Sequence, residues 1–312
     1  GGGDAKNGGK PPCAARAAKM LANHACRHYF VSMSDPLETL RLRLVGQVRD
    51  LFNETGQQPV PPSDEALFAR DTPIRMVHAD IVGMMTGGIR GLLLQMLHPA
   101  ALQGVLDHSN FRADMHGRLR RTARFIAVTT FGHRDEAMKA IERVNRIHAH
   151  VGGTLPGGEP YTATDPRTLA WVHVVEAQSF LAGYLRHVRP DMPFAEQDEY
   201  YRQFAIIARA LGADPVPESR REAEAIFREL RADLRTSPEA REVAQLVLTS
   251  KPEGTPQALQ AVVAAEAVAM VPDWARSMLR IQRPVLTAIP ARAATWGVGR
   301  TLRWAFRQTR QS

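Results

Sequence analysis

The spacing of apolar positions predicts helix after helix along the chain. Residues 35–54 carry an amphipathic pattern that opens on Asp35-Pro36 and stops at Glu54-Thr-Gly56, ahead of the proline-rich Pro59-Val-Pro-Pro62. Proline presets the backbone of a first helical turn, and a preceding aspartate can accept the free N–H groups there. A short helix is expected over 64–70. Residues 74–105 are almost wholly apolar, but Gly87-Gly88 and Pro99 interrupt them and His78, Asp80 and Arg90 charge them. That run predicts a pair of buried core helices rather than a membrane span. Further helices are predicted over 115–131, 134–151, 165–188, 194–211, 218–235, 237–249 and 255–271. Asp165-Pro166 and Pro238 are placed as helix starts and Gly212 as a terminating glycine. The Gly- and Pro-rich stretch 152–160 is a break. Convincing period-two alternation and fixed-period repeats are absent. The fold class expected is all-α, a single multi-helix domain.

Composition changes this picture at the ends of the chain. Residues 1–32 begin GGGDAKNGGKPP and lack an apolar stripe, whereas Met33-Ser-Asp-Pro-Leu reads as a natural start. They are read as a vector-derived or upstream leader, leaving 33–291 as the helical domain and 292–312 as a tail. Both cysteines, Cys13 and Cys26, lie in that leader, so the domain offers no thiolate for a nucleophile, a zinc site or a haem. Five leader cations stand against Asp4, so half of the net charge of +8 resides there and the domain is only mildly basic. No export signal follows Met33, and no apolar run reaches the ~20 residues of a membrane span. The expected location is cytoplasmic, with the membrane surface as a peripheral option.

Histidine is the remaining chemistry-bearing residue type, present 11 times. His148 shares a helical stripe with Ile141, Val144 and Val151, which turns it inward; His150 is rotated roughly 200° from it. A buried imidazole requires a hydrogen-bond partner or a metal, and spacing leaves both open. His98-Pro99 and His108-Ser109 flank a predicted helix over 100–107, where polar groups also serve as ordinary helix ends. Arg118 and Thr122 are four residues apart and share a face that Phe125 and Thr129 extend. Such a pair can hold an anion or polarise a bound molecule, or simply lie on the surface. Phosphate-cradling, metalloprotease, serine-hydrolase and calcium-loop motifs are absent.

Taken in order, several strings resemble the latex-clearing-protein/MpaB oxygenase family over roughly residues 70–280. They are Gly88-Ile-Arg-Gly-Leu-Leu-Leu-Gln-Met-Leu-His98-Pro99, Asp107-His108-Ser109-Asn-Phe111 and Arg118-Leu-Arg-Arg-Thr122 in the first half. Val144-Asn-Arg-Ile-His148-Ala-His150, Tyr161-Thr-Ala-Thr-Asp165-Pro166, Trp171-Val-His173, Leu211-Gly212 and Val271-Pro272-Asp-Trp274 continue the match. The resemblance implies a globin-like helical core around non-covalent haem b, with His148 as the iron ligand. It places Arg118 and Thr122 at the haem pocket and brings His98, His108 and His173 into consideration as cofactor-binding residues. Arg121 stands where rubber-cleaving relatives carry a lysine, and a guanidinium is a poor replacement for a lysine ligand or proton donor. Arg118, Arg121 and Thr122 are the expected catalytic group. The implied reaction is oxidation or cleavage of C=C bonds in an isoprenoid or other lipidic substrate with O2, along an apolar tunnel lined from 74–105.

The tail adds a second feature. Arg300, Arg303, Arg307 and Arg310 share one helical face, and Val298, Leu302, Ala305 and Phe306 the other. That pattern suits either an interfacial helix on anionic lipid or a helix packed on the domain. No recognised nucleic-acid module accompanies the arginines, and no nucleic-acid partner is expected. Two further readings stand beside the oxygenase: a non-catalytic haem-binding protein, and a haem-free membrane-surface protein acting through the tail. Oxygen consumption separates the first from the oxygenase, and one absorption spectrum the second.

Overall fold

The computed structural model describes residues 1–2, 58–250 and 257–282, with Gly297 and Arg300. The chain divides into two units, Gly1–Leu44 and Val45–Ser312; all that follows belongs to the second. All but the first two residues of the leader 1–32, the helix expected over 35–54 and most of the tail lie outside the described residues, Gly297 and Arg300 being helical.

Eleven α-helices are described: α1 (Pro73–His78), α2 (Ile81–Gln95), α3 (Pro99–His108), α4 (Met115–Phe131), α5 (Arg134–His148), α6 (Pro166–His187), α7 (Phe194–Ala210), α8 (Arg220–Leu230), α9 (Pro238–Thr249), α10 (Gln257–Met270) and α11 (Asp273–Leu279). The all-α expectation holds. Most starts are written in the sequence. Asp80, Asp114, Asp165, Ser219 and Ser237 each accept a hydrogen bond from a backbone N–H of the first turn. Prolines open α1, α3, α6 and α9. Gly212 ends α7 with φ +89°, its N–H donating to the Arg209 carbonyl while the Ala213 N–H donates to Ala208. That pair of bonds requires the left-handed conformation glycine adopts without strain.

Four local expectations need correction. Residues 64–70 form turns, not a helix; Ala66 instead makes an isolated antiparallel bridge to His133. Segment 152–160 and its flank form a small hairpin, β1 (Gly152–Thr154) antiparallel to β2 (Pro160–Thr162), with Gly153 opposite Tyr161. It is too short to show alternation. The apolar run 74–105 makes three helices rather than two, and Gly87-Gly88 does not break it. The break falls at Asp80, whose side chain takes the Gly83 N–H and begins α2 anew. Residues 272–279, without an expected element, form α11.

The glycines of α2 serve packing. Gly83, Gly87 and Gly91 recur every four residues and so line one face. A Cβ on Gly87 would come within 2.5 Å of the Ser179 carbonyl oxygen on α6, and one on Gly183 would collide with the Gly83 carbonyl. The two backbones therefore touch, and α6 is buried nearly all round, with Leu169, Ala170, Trp171, Val174, Val175, Ala177 and Phe180 in the core. Arg90 reaches from α2 past this contact, donating to Ser179 Oγ at 2.5 Å and to the Met270 carbonyl at 3.0 Å. Burial pulls its guanidinium down to about 10, so it stays charged at neutral pH.

Further along, α1 delivers His78 between α4, α6 and α7. Its Nδ1 lies 2.8 Å from Thr130 Oγ1 and its Nε2 3.4 Å from the Tyr200 hydroxyl, with Phe180 edge-on at 5.4 Å. Burial pushes this imidazole down to about 3.

Two outcomes follow from this packing. Gly87→Val should destabilise the fold by about 3 kcal/mol, as overpacking against a rigid backbone does, measured by urea denaturation. His78 protonates near pH 6.5 when unfolded but only near 3 when folded, so stability present above pH 6.5 is lost as pH falls through that window. The slope from this one group approaches about 1.4 kcal/mol per pH unit. His78→Phe should remove one proton's worth of that acid sensitivity, read from denaturation midpoints at successive pH values.

Candidate functional site

The last turn of α5 carries the residue singled out by its stripe. Ile141 is buried, Val144 and His148 are half-buried, and His150 is exposed with its Nδ1 2.7 Å from the Arg146 carbonyl. The structure thus turns His148 inward and His150 outward. His148 Nδ1 is sealed from solvent without a hydrogen-bond partner. Asn145 holds this turn in place by donating to the Ala210 carbonyl at the end of α7.

His173 of α6 is buried, likewise has an unpartnered Nδ1, and feels the charge of His148. Burial lowers the His148 pKa, helped by the positive charge of Arg118. His173 is pushed down to about 4, first by burial and then by His148. Both imidazoles are therefore neutral at pH 7 and keep a lone pair available, the state in which histidine acts as a ligand. An unsatisfied buried ring nitrogen costs roughly 1–3 kcal/mol, and two of them meet here.

One helical turn beyond His173 lies Glu176, its Oε2 3.7 Å from His173 Nδ1. Burial alone pushes this carboxyl up to about 7. Yet 18% of its side chain is accessible, so the carboxyl lies at the margin of the core rather than sealed within it. The sequence reading missed Glu176. Its signal was available: one acidic residue inside the apolar run Ala170–Ala177, three residues after a buried histidine.

Helix α4 supplies Arg118, half-buried, with its guanidinium pKa lowered by burial and by the neighbouring Arg121. The other two residues of the expected catalytic group are placed differently. Arg121 is 59% exposed and pairs with Asp114 at 3.2 Å. Thr122 is exposed, and its hydroxyl donates back to the Arg118 carbonyl at 3.2 Å. Of the three, Arg118 is the one whose charge reaches His148.

The remaining candidate histidines stand apart. His98 begins α3, buried with an unpartnered Nδ1, and the charges it feels are those of Asp233, Asp165 and Arg167. His108 ends α3, its Nε2 3.1 Å from the Gly152 carbonyl of the hairpin. The structure therefore brings together His148, His173, Arg118 and Glu176, and leaves His98, His108, Arg121 and Thr122 outside that group. Among the described residues, no three His, Cys, Asp or Glu side chains gather to hold a bare metal ion. No described helix is long and apolar enough to cross a membrane.

Residues 75–304 match the family described as ER-bound oxygenase mpaB/B′/rubber oxygenase, catalytic domain. No curated protein and no solved structure matches the chain. The family match runs from within α1 to beyond α11 and includes all four of these side chains. The chain accordingly belongs to the MpaB/rubber-oxygenase catalytic-domain family and is an oxidoreductase of the oxygenase class.

Proposed function

We propose that this chain is a haem b-dependent oxygenase, with His148 as the iron ligand, that oxidises or cleaves C=C bonds of an isoprenoid or other lipidic molecule with O2. The observation that supports it is a pair of neutral, electrostatically coupled imidazoles, His148 and the buried His173, each with an unpartnered Nδ1. The residues fit the group. Porphyrin contributes four equatorial nitrogens, so one neutral histidine from the protein completes a haem site without the cluster a bare ion needs. Haem b, when bound, supplies a redox-active iron for dioxygen chemistry.

The chain's own residues then have distinct tasks. His148 offers a nitrogen lone pair on a turn fixed by Asn145. Arg118 adds to burial in lowering the His148 pKa and presents a cation suited to a propionate carboxylate. Apolar side chains of α2, α3 and α6 exclude water and favour a hydrophobic substrate. Arg121 and Thr122, turned to the surface, are assigned no part in the reaction. The arginine face of residues 300–310 brings the protein to anionic lipid, where such substrates dissolve.

Two measurements decide this. Purified protein supplied with haem should show a Soret band that His148→Ala abolishes or strongly shifts, with oxygen uptake on a polyisoprenoid or terpenoid substrate. An unchanged spectrum in the variant overturns the assignment of His148. Full-length protein should sediment with anionic lipid vesicles and a chain lacking 292–312 should not; equal sedimentation removes the tail from the proposal.

A further inference from the structure

Between α6 and α7 the packing leaves a small cavity. Ala170 and Ala177 flank His173 on α6, three and four residues away, so all three share one face and line it. Ala205 and Ala208 of α7 line the same space, and Pro215, Val216 and Pro217 of the loop after α7 close it. Each of the four alanines is 1% exposed, so the chain covers them, yet no larger side chain fills the room between them. Elsewhere the same two helices bury Trp171, Phe180 and Tyr200. What remains is a cavity of about 10 Å³, the scale at which one water-sized molecule fits.

We propose that this cavity is a docking site for dioxygen, beside His173 and apart from the space that takes the organic substrate. The inference deepens the oxygenase reading and rests on it for its purpose. Methyl groups, the Phe204 ring and two prolines make up most of the wall. An ordered water needs roughly two to four hydrogen-bond partners, which such a wall does not supply, whereas a diatomic apolar gas needs none and gains dispersion contacts on every side. An isoprenoid or other lipid is far too large to enter. The cavity therefore sorts the two reactants by size, and no bond is made or broken in it.

The position of the cavity suits this role. His173 belongs both to its wall and to the candidate site, with its ring edge-on to Phe204 at 6.2 Å. Towards solvent a single layer of chain covers it: Pro215 and Val216 are half-buried and Pro217 is buried. That layer is pinned at its base, where the Asp214 N–H donates to the Pro166 carbonyl at 3.1 Å and the Ala213 N–H to the Ala208 carbonyl at 3.0 Å. Fast side-chain motion admits a diatomic gas through such a layer, while the pinned backbone keeps larger molecules out.

Xenon, an apolar atom that enters dry apolar cavities, tests this without haem or turnover. Crystals of the full chain pressurised with xenon should show it between Ala177, Ala205 and Val216 in the wild type, and Ala205→Val should exclude it. In haem-loaded protein, Ala205→Val should raise KM for dioxygen about tenfold, the low end for a methylene-scale change in an apolar pocket. KM for the organic substrate and the Soret band should stay as in the wild type. Val216→Leu fills the same space from the loop and serves if the helix variant folds poorly; Val216→Ala enlarges the space and should keep xenon. A wild-type cavity without xenon, an ordered water there that xenon does not displace, or xenon retained in both filling variants overturns the proposal. So does an unchanged KM for dioxygen in a variant that has lost xenon. Oxygen uptake failing in the wild type sinks the oxygenase reading, and xenon binding still decides by itself whether the cavity takes an apolar gas.

Discussion

At Gly87 the backbones of α2 and α6 come into direct contact, and much of the site's placement depends on that approach. Any side chain larger than hydrogen would meet the Ser179 carbonyl. Contact at Gly83, Gly87 and Gly91 on one helix and Ser179 and Gly183 on the other leaves α6 no freedom to rotate or retreat. Arg90 adds a polar strut at the same level, joining α2 to Ser179 and to the end of α10. Glu176 lies one turn before Ser179 and His173 one turn earlier again. Locking α6 at its glycine seam therefore fixes both titratable groups.

A second constraint follows, since α6 is buried nearly all round and each polar group on it must be satisfied or bear the cost of burial. The nearby His78 shows the satisfied solution, with Thr130 and Tyr200 within reach of its two ring nitrogens. His173 and His148 show the other, each with an Nδ1 that nothing fills. The same protein satisfies His78 with hydroxyls in its core and leaves His148, His173 and, at the start of α3, His98 each with an open ring nitrogen. What sets His148 and His173 apart from His98 is their electrostatic setting, with Arg118 acting on His148, His148 on His173, and Glu176 3.7 Å from His173.

The helical frame was legible because local rules wrote it. Aspartate or serine at the first turn, proline after it and glycine at Gly212 are signals a segment carries by itself. The errors occurred where a partner decides the outcome. Gly87-Gly88 reads as a breaker in one dimension and is a contact surface in three, visible only once Ser179 is opposite. The hairpin at Gly152–Thr154 is held by pairing with Pro160–Thr162, which composition hides. In the site, the stripe on α5 foretold that His148 points inward, because periodicity fixes direction. It could not foretell His173 as its neighbour, 25 positions away on another helix, nor Glu176, whose meaning depends on burial that only the packed structure supplies.

Side-chain length explains how α4 divides its three polar candidates. Arg118 and Thr122 share a face by spacing, yet only the former is felt at His148. A long guanidinium stem reaches around the half-buried helix, whereas the short threonine hydroxyl falls back on the Arg118 carbonyl. Arg121 is drawn the other way by Asp114, whose carboxylate also caps the helix through Gly117. The result is a site with its charges sorted. Burial and then the cation of Arg118 on α4 lower the His148 pKa, and the carboxyl of Glu176 sits on α6 beside His173. The cation and the carboxyl nearest the two imidazoles thus stand on separate helices, α4 and α6, each held there by the packing of its own helix rather than by a bond to the other.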